Sequence, residues 1–393
     1  MTTLLGGLTP AQFLERHWQK KPLLVRQAIP GFKGFVDVDD LLALARRDDV
    51  MARCVALRGG RHRLQKGPLR GPPSGQGPWT VLVQGIETLH PEGWPLLRRF
   101  DDVVPRARLD DLMISWASEG AGVGPHIDRY DVFLLQGPGR RRWRLQHTPD
   151  PRLDLRAEVP ILARFKHEVE YILEPGDMLY LPPGVAHDGT AVDGPCLTYS
   201  IGAVAPSVEA LQQNWLGYLS HKVEAKVDLE AMYEDRDLAV SSSPVEIGDL
   251  MVGRVEELLA PVRQTTRDDV EEFLGRLLTG PKPHVVFPPT PKLSRGELLQ
   301  RLTRPEAIAL ALPSRGLVRG QRVFLNGEAA VVDEAGLQFW SRLVRERRVP
   351  GPVSLGGAGL ELLIEAFSRG FVRFEGGASS SSSSSSSGRR RRR

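Results

Sequence analysis

The chain has 393 residues, 41% hydrophobic and 25% charged, the balance of a soluble globular protein long enough for two or three cores. It contains no run of eighteen apolar residues, no signal-peptide pattern at its start and only two cysteines, Cys54 and Cys196, so a membrane span, secretion and a disulfide or Cys-rich zinc framework are not expected and a cytoplasmic location is. The net charge of +4 includes the terminal run Arg389 to Arg393, so the rest of the chain carries −1 and is not a generally basic nucleic-acid binder.

Thr9 caps a first helix with Pro10 at its first position, and Phe13, His17 and Trp18 fall near one face. Short apolar segments bounded by Gly, Pro and Asp follow: Trp79 to Val83, Asp131 to Leu135, Tyr171 to Leu173, Met178 to Leu181 and Leu197 to Ile201. Up to about Ala205 this is the pattern of an antiparallel β sandwich or barrel. After Pro206 the period changes. Val208, Leu211, Trp215, Tyr218 and Leu219 recur at helical spacing, and further helices are expected over Ile247 to Leu259 and Arg267 to Leu278, with Ser241 to Pro244 as a loop.

A Pro-rich linker, Pro281 to Pro291, opens the last section. Ser294 and Glu297 form a capping box ahead of Leu298, Leu299 and Leu302. Arg322 to Leu325 and Ala329 to Val332 flank Asn326-Gly327, a hairpin signal. Helices are expected over Gly336 to Arg347 and Gly359 to Phe367, which together make a winged-helix-like module. The chain ends in Ser379 to Ser387, Gly388 and five arginines; it is expected to be disordered from about Gly376 and offers a contact for RNA.

The chemistry concentrates in GVGPHIDRYDVFLLQGPGRRRWRL, Gly122 to Leu145, and in EPGDMLYLPPGVAHDG, which contains His187. His126-x-Asp128 on an extended segment points two ligands to one side. The turn after Met178 to Leu181, Pro182-Pro183-Gly184, then presents His187. Two histidines and a carboxylate on one face of a metal leave three positions open, which suits non-haem iron(II) oxygenases. His147 and His167 compete as ligands, but neither has a carboxylate at ligand spacing and such a turn before it. In Arg140-Arg141-Arg142-Trp143-Arg144 alternate residues face opposite ways, and an inward arginine would fit a dicarboxylate; periodicity does not pick which one.

These motifs, with FLERHWQKKPLLVRQA (Phe13 to Ala28), LMISWASEGAGVGPHIDRYDVFLLQGPGRRRWRL and LYLPPGVAHDGTA, resemble the bacterial ribosomal oxygenases over nearly all of the chain except its tail. The resemblance implies an α+β protein, mainly β in its catalytic domain: a double-stranded β-helix of the JmjC/cupin kind over residues 1–205, a helical dimerisation section over 206–280, a winged-helix-like domain over 281–375 and the Ser/Arg tail over 376–393. It implies an iron(II)- and 2-oxoglutarate-dependent enzyme, using O2, that hydroxylates an arginine of large-subunit ribosomal protein number sixteen, and a homodimer.

By position, His126, Asp128 and His187 match the family's iron ligands and Arg141 its 2-oxoglutarate-binding residue. Ser115, Thr198 and Ser200 are placed beside the same cosubstrate, and Tyr130 and Glu119 near the entrance, to hold a substrate guanidinium. Three rival functions stay open: the same oxygenase acting on a histidine or a methylated lysine, a metal-binding cupin without 2-oxoglutarate, and a winged-helix DNA-binding regulator. Arg141 argues against the second. Against the third, the helix Gly336 to Arg347 mixes Arg342, Arg345 and Arg347 with Glu346.

Overall fold

The computed structural model describes residues 3–71, 77–203, 206–224, 249–287, 289–291 and 293–375. The chain divides into two units, Met1–Val286 and Phe287–Arg393. The expected loop Ser241 to Pro244, the start of the helix at Ile247 and the tail from Gly376 lie outside the described residues.

The first unit opens with α1 (Pro10–Arg16). Its capping box closes as the sequence pattern requires: the Gln12 N–H donates to Thr9 Oγ1 (3.2 Å) and the Thr9 N–H to Gln12 Oε1 (2.9 Å). The chain continues through β1 (Leu23–Val25), α2 (Val38–Ala45), β2 (Ala52–Arg58), β3 (Arg61–Lys66), β4 (Trp79–Val83), α3 (Ile86–Leu89) and α4 (Gly93–Leu97). Eight strands then follow: β5 (Leu109–Ala117), β6 (His126–Ile127), β7 (Asp131–Gln136), β8 (Arg140–Gln146), β9 (Val169–Leu173), β10 (Met178–Leu181), β11 (Ala186–Val192) and β12 (Cys196–Ala203). Three helices close the unit: α5 (Val208–Glu224), α6 (Asp249–Arg263) and α7 (Arg267–Thr279).

The strands form two antiparallel sheets. The larger runs β1-β10-β7-β12-β5-β4-β2-β3 and the smaller β6-β11-β8-β9. The two sheets bear out the antiparallel β sandwich expected for this half of the chain. β7, β10 and β12 are buried along their whole length, which explains why they read as continuous apolar runs. On β8, Arg141, Trp143 and Leu145 are buried while Arg140, Arg142 and Arg144 are half-exposed. The outward arginines pair with Asp193, Glu174 and Glu170.

The N-terminal helix is fastened to the large sheet by aromatic packing of Phe13 and Trp18 on Phe133 and Tyr180. Beneath them lies the fully buried carboxylate of Asp131, which accepts from Tyr180 Oη (2.6 Å) and Gln19 Nε2 (3.0 Å). Both acceptor oxygens are satisfied, so the buried charge is tolerated. Asp131 thus holds the strand that leads directly out of the His126-x-Asp128 segment.

The helices after Pro206 keep the expected stripe: Trp215 and Tyr218 of α5 pack on Phe273 of α7. Val208, Leu216, Met251, Val252, Leu258 and Leu259 of α5 and α6 stay exposed.

The second unit contains α8 (Arg295–Leu302), β13 (Ala307–Leu310), β14 (Gly316–Arg319), β15 (Arg322–Leu325), β16 (Glu328–Val331), α9 (Glu334–Glu346), β17 (Arg348–Val349), α10 (Gly357–Ser368) and β18 (Val372–Glu375). It has two three-stranded antiparallel sheets, β17-β13-β18 and β14-β15-β16. The Ser294–Glu297 capping box and the Asn326-Gly327 turn, with φ of +51° and +87°, stand where the residue types demand them. The helix expected from Gly336 begins two residues earlier, because Asp333 caps it by accepting the Gly336 N–H (2.7 Å). Trp340 and Leu343 are fully buried at the centre of this core.

Candidate metal centre

β6 is only two residues long, yet it lies directly against β11, with His126 paired in register to His187. Each imidazole has its Nδ1 beside a backbone carbonyl two residues earlier: His126 to Gly124 O (2.9 Å) and His187 to Val185 O (3.1 Å). A carbonyl only accepts, so the proton sits on Nδ1 and both Nε2 atoms are free to ligate. Asp128 follows β6, its oxygens 4.0 Å from His126 Nε2 and 3.5 Å from His187 Nε2. The three ligating atoms lie within 4.8 Å of one another. Burial, and after it the charge of His126, push the His187 pKa well down, so its imidazole is neutral and competent to bind a metal. Two histidines, one carboxylate and an open side fit a non-haem iron site.

The triad opens on a cavity of about 720 Å³ between the two sheets. Arg141 reaches it from β8 and is only 3% exposed. Its Nη1 donates to Ser115 Oγ and Thr198 Oγ1 (3.2 Å each), and its Nη2 to Gly189 O (3.2 Å). Its guanidinium lies 5.0 Å from the Trp143 ring, and its Nε has no hydrogen-bond partner among the described residues. None of these bonds reaches a carboxylate. A buried cation without an anion is costly, and a carboxylate-bearing ligand would relieve it. The residues present therefore fit both a metal and an acidic cosubstrate. Ser115 and Thr198 hold the arginine; Ser200, next inward on β12, lines the cavity without bonding to it.

Tyr130 also lines the cavity. Burial, then the charges of Asp128 and Asp111, raise its hydroxyl pKa strongly, so it remains a donor. Glu119 does not belong here. It is exposed in the turn after β5, where the Gly120 N–H donates to Ala191 O, and is absent from the cavity lining. From β5 the acid that lines the cavity, beside Asp128, is Asp111, which is buried. The period-two pattern Asp111, Met113, Ser115 on one strand was the available signal for it. His147 pairs with Glu168 (2.7 Å) on the surface and His167 is exposed, so neither joins the triad.

Residues 96–211 match the family model of the JmjC domain, and residues 261–355 that of the ROXA-like winged helix. The chain is 33% identical over 329 residues to the ribosomal protein uL16 3-hydroxylase of Escherichia coli, covering 80% of this chain and 84% of that one. It is 34% identical over 249 residues to the probable ribosomal oxygenase of Haemophilus influenzae, covering 62% and 60%. Among solved structures, E. coli YcfD superposes with a TM-score of 0.79 at 28% identity, covering 94% of this chain and 99% of that one. YcfD in complex with cobalt and 2-oxoglutarate superposes with a TM-score of 0.75 over the same share of each chain.

Proposed function

The chain belongs to the ribosomal oxygenase family, and from that premise we propose that it is an iron(II)- and 2-oxoglutarate-dependent oxygenase hydroxylating an arginine side chain of ribosomal protein uL16. The observation that carries this reading is the charge arrangement of one cavity. It holds the triad, a buried guanidinium with no carboxylate partner among the described residues, and a buried carboxylate, Asp111. Ser115, which binds Arg141, and Asp111 are four residues apart on β5, about 13 Å at ~3.3 Å per residue. An acidic cosubstrate and a cationic side chain therefore have separate places.

His126, Asp128 and His187 would hold the iron, which with O2 and the keto acid supplies the oxidising chemistry when bound. Arg141 binds the far carboxylate of the cosubstrate, held in line by the Ser115 and Thr198 hydroxyls. Trp143 and the buried strands around it keep water away from that ion pair, which strengthens it. Asp111 takes the cationic end of the substrate side chain. Tyr130, kept protonated, donates toward the same carboxylates and narrows the entrance. The two Nδ1–carbonyl contacts fix the ligand rings, so substrate entry need not reorganise the metal face.

Residues 1–205 are read as the catalytic domain, 206–280 as a helical dimerisation region and 281–375 as the winged-helix domain. The exposed apolar side chains of α5 and α6 support a homodimer. No helix among the described residues is long and apolar enough to cross a membrane; a ribosomal substrate supports a cytoplasmic location.

The decisive experiment incubates the protein with iron(II), 2-oxoglutarate, O2 and uL16 and locates added oxygen by peptide mass spectrometry. Oxygen on an arginine supports the reading. Oxygen on a histidine, or loss of methyl groups from a lysine, would replace the substrate assignment and leave the cofactor assignment standing.

A further inference from the structure

The two histidines of the triad are held unequally by the sheet that carries them. His187 sits on β11, which is seven residues long and pairs with β8 on one side and β6 on the other. His126 opens β6, which is two residues long and stands at the sheet edge, with no strand beyond it among the described residues. An edge so short has few ladder bonds, so the sheet alone constrains its backbone weakly. The side chains differ accordingly: His187 is 3% exposed and His126 24%.

The connection between β8 and β9, residues 147–168, stands where the missing strand would be. It folds back on itself through the Leu153–Leu162 bridge and the bond from the Asp154 N–H to Ile161 O (2.9 Å). The Leu162 N–H donates to Pro125 O (2.8 Å), immediately before His126. One residue earlier, Gly124 is buried at φ +86°, and its carbonyl holds His126 Nδ1 (2.9 Å). A Cβ on Gly124 would stand 2.9 Å from Ile161 Cγ2 and 3.0 Å from His62 Cε1, so these two side chains close on the glycine from the strap and from β3. Strap and strand are tied together. The Glu158 N–H donates to His62 O (3.2 Å), and the Glu158 carboxylate accepts from the Leu64 N–H (2.9 Å) and Arg63 Nη1 (2.6 Å).

We infer that Ile161 and His62 are positioning residues for the metal centre, acting through Gly124, whose carbonyl aims the His126 ring. The inference rests on the reading of His126, Asp128 and His187 as the iron ligands and adds what holds the first of them. Ile161 is 7% exposed and packs in the cluster of Val55, Leu82 and Val159, so its side chain is a fixed wall. Neither Ile161 nor His62 belongs to the ligand cluster. With a wall removed, the Gly124–Pro125 backbone has room to shift, and the imidazole that follows it meets the metal in more than one orientation. His187, on a strand paired along both edges, does not depend on this clasp.

The test loads the apo-protein with cobalt(II) alone. Calorimetry gives its Kd, and the visible absorption of the bound ion reports the ligand geometry. Ile161→Ala should weaken binding roughly 10-fold, the scale of losing a group that orients a ligand, and alter the absorption bands. Ile161→Val keeps both Cγ atoms and should restore the parent Kd and bands. His62→Ala removes the other wall at a half-buried position and should shift both readouts in the same direction, so the test does not depend on the folding of one variant. Val55→Ala takes volume from the same cluster on β2 and should lower the melting temperature of the apo-protein without moving the Kd or the bands. Parent Kd and parent bands in both Ile161→Ala and His62→Ala, or an equal loss in Val55→Ala, would overturn the inference and leave the ligand set standing. Cobalt binding that His126→Ala does not weaken would overturn the ligand set, and this inference with it.

Discussion

His126 and His187 face each other across the shortest strand pairing in the first unit, ring centroids 4.2 Å apart, each with Nδ1 held by a carbonyl two residues before it. The ligand pair is therefore built by backbone register and needs no metal to orient it. Removing one ligand leaves the other two in place but with too few donors. His126→Ala, Asp128→Ala and His187→Ala should each reduce 2-oxoglutarate decarboxylation to the no-enzyme background while the thermal unfolding of the apo-protein stays close to the parent. Full decarboxylation by any of the three under iron-limited conditions would remove that residue from the ligand set.

Arg141 is expected to set cosubstrate affinity. Arg141→Gln removes a buried charge that the ligand alone neutralises, a change on the order of 2–3 kcal/mol, or roughly 30- to 150-fold in the Kd for 2-oxoglutarate. Anaerobic calorimetry with the metal-loaded protein measures it, and the metal affinity should not move. Gly189→Ala tests the same site without touching a functional group. An added Cβ would stand 2.5 Å from Trp143 Cζ3 and 2.8 Å from Arg141 Nε. Its cost, about 1–3 kcal/mol of overpacking, should appear as weakened 2-oxoglutarate binding too.

The triad was legible because its three residues carry strong local signals: an alternating His-x-Asp, and a histidine after a Pro-Pro-Gly turn. The choice among the arginines was not, since β8 alternates cations on both faces and only the partner sheet decides which face is inside. β2 and β3 also escaped reading. β3 is an edge strand with charged residues along it, and such strands lack the apolar alternation that marks a half-buried one. The resemblance put Glu119 near the entrance, whereas it is exposed after β5 and outside the cavity lining; Asp111, fifteen residues before His126, is a buried acid that lines the cavity.

Asp111 should therefore govern the substrate and leave the cosubstrate alone. Asp111→Asn keeps the shape and removes the charge. Losing a charge-assisted contact to a guanidinium should lower kcat/KM for the arginine substrate by roughly 30- to 100-fold, with 2-oxoglutarate Kd and substrate-free decarboxylation unchanged. The matching control is Glu119→Gln, which should leave kcat/KM as it was. Equal losses in both variants would return the acidic role to the region around Glu119.

The pairing of α5 with α7 gives a stability signature in acid. Lys222 donates to Asp269, which also accepts from the Thr266 N–H (2.8 Å) and Oγ1 (2.9 Å). The Lys222 hydrogen bond, followed by those from Thr266, holds the Asp269 pKa down to about 2. A depressed carboxyl pKa means that the folded state binds its proton less readily than the unfolded one. The contribution is therefore complete above the unfolded value, about 4, and is lost as pH falls through about 2. Lys222→Met should lower stability by about 1 kcal/mol at neutral pH, the scale of a partly screened pair, and the difference from the parent should vanish toward pH 2. Urea midpoints measured across that range test it. A difference that persists undiminished at the acid end would mean that the methionine acts through packing and that the ion pair is not what fastens α5 to α7.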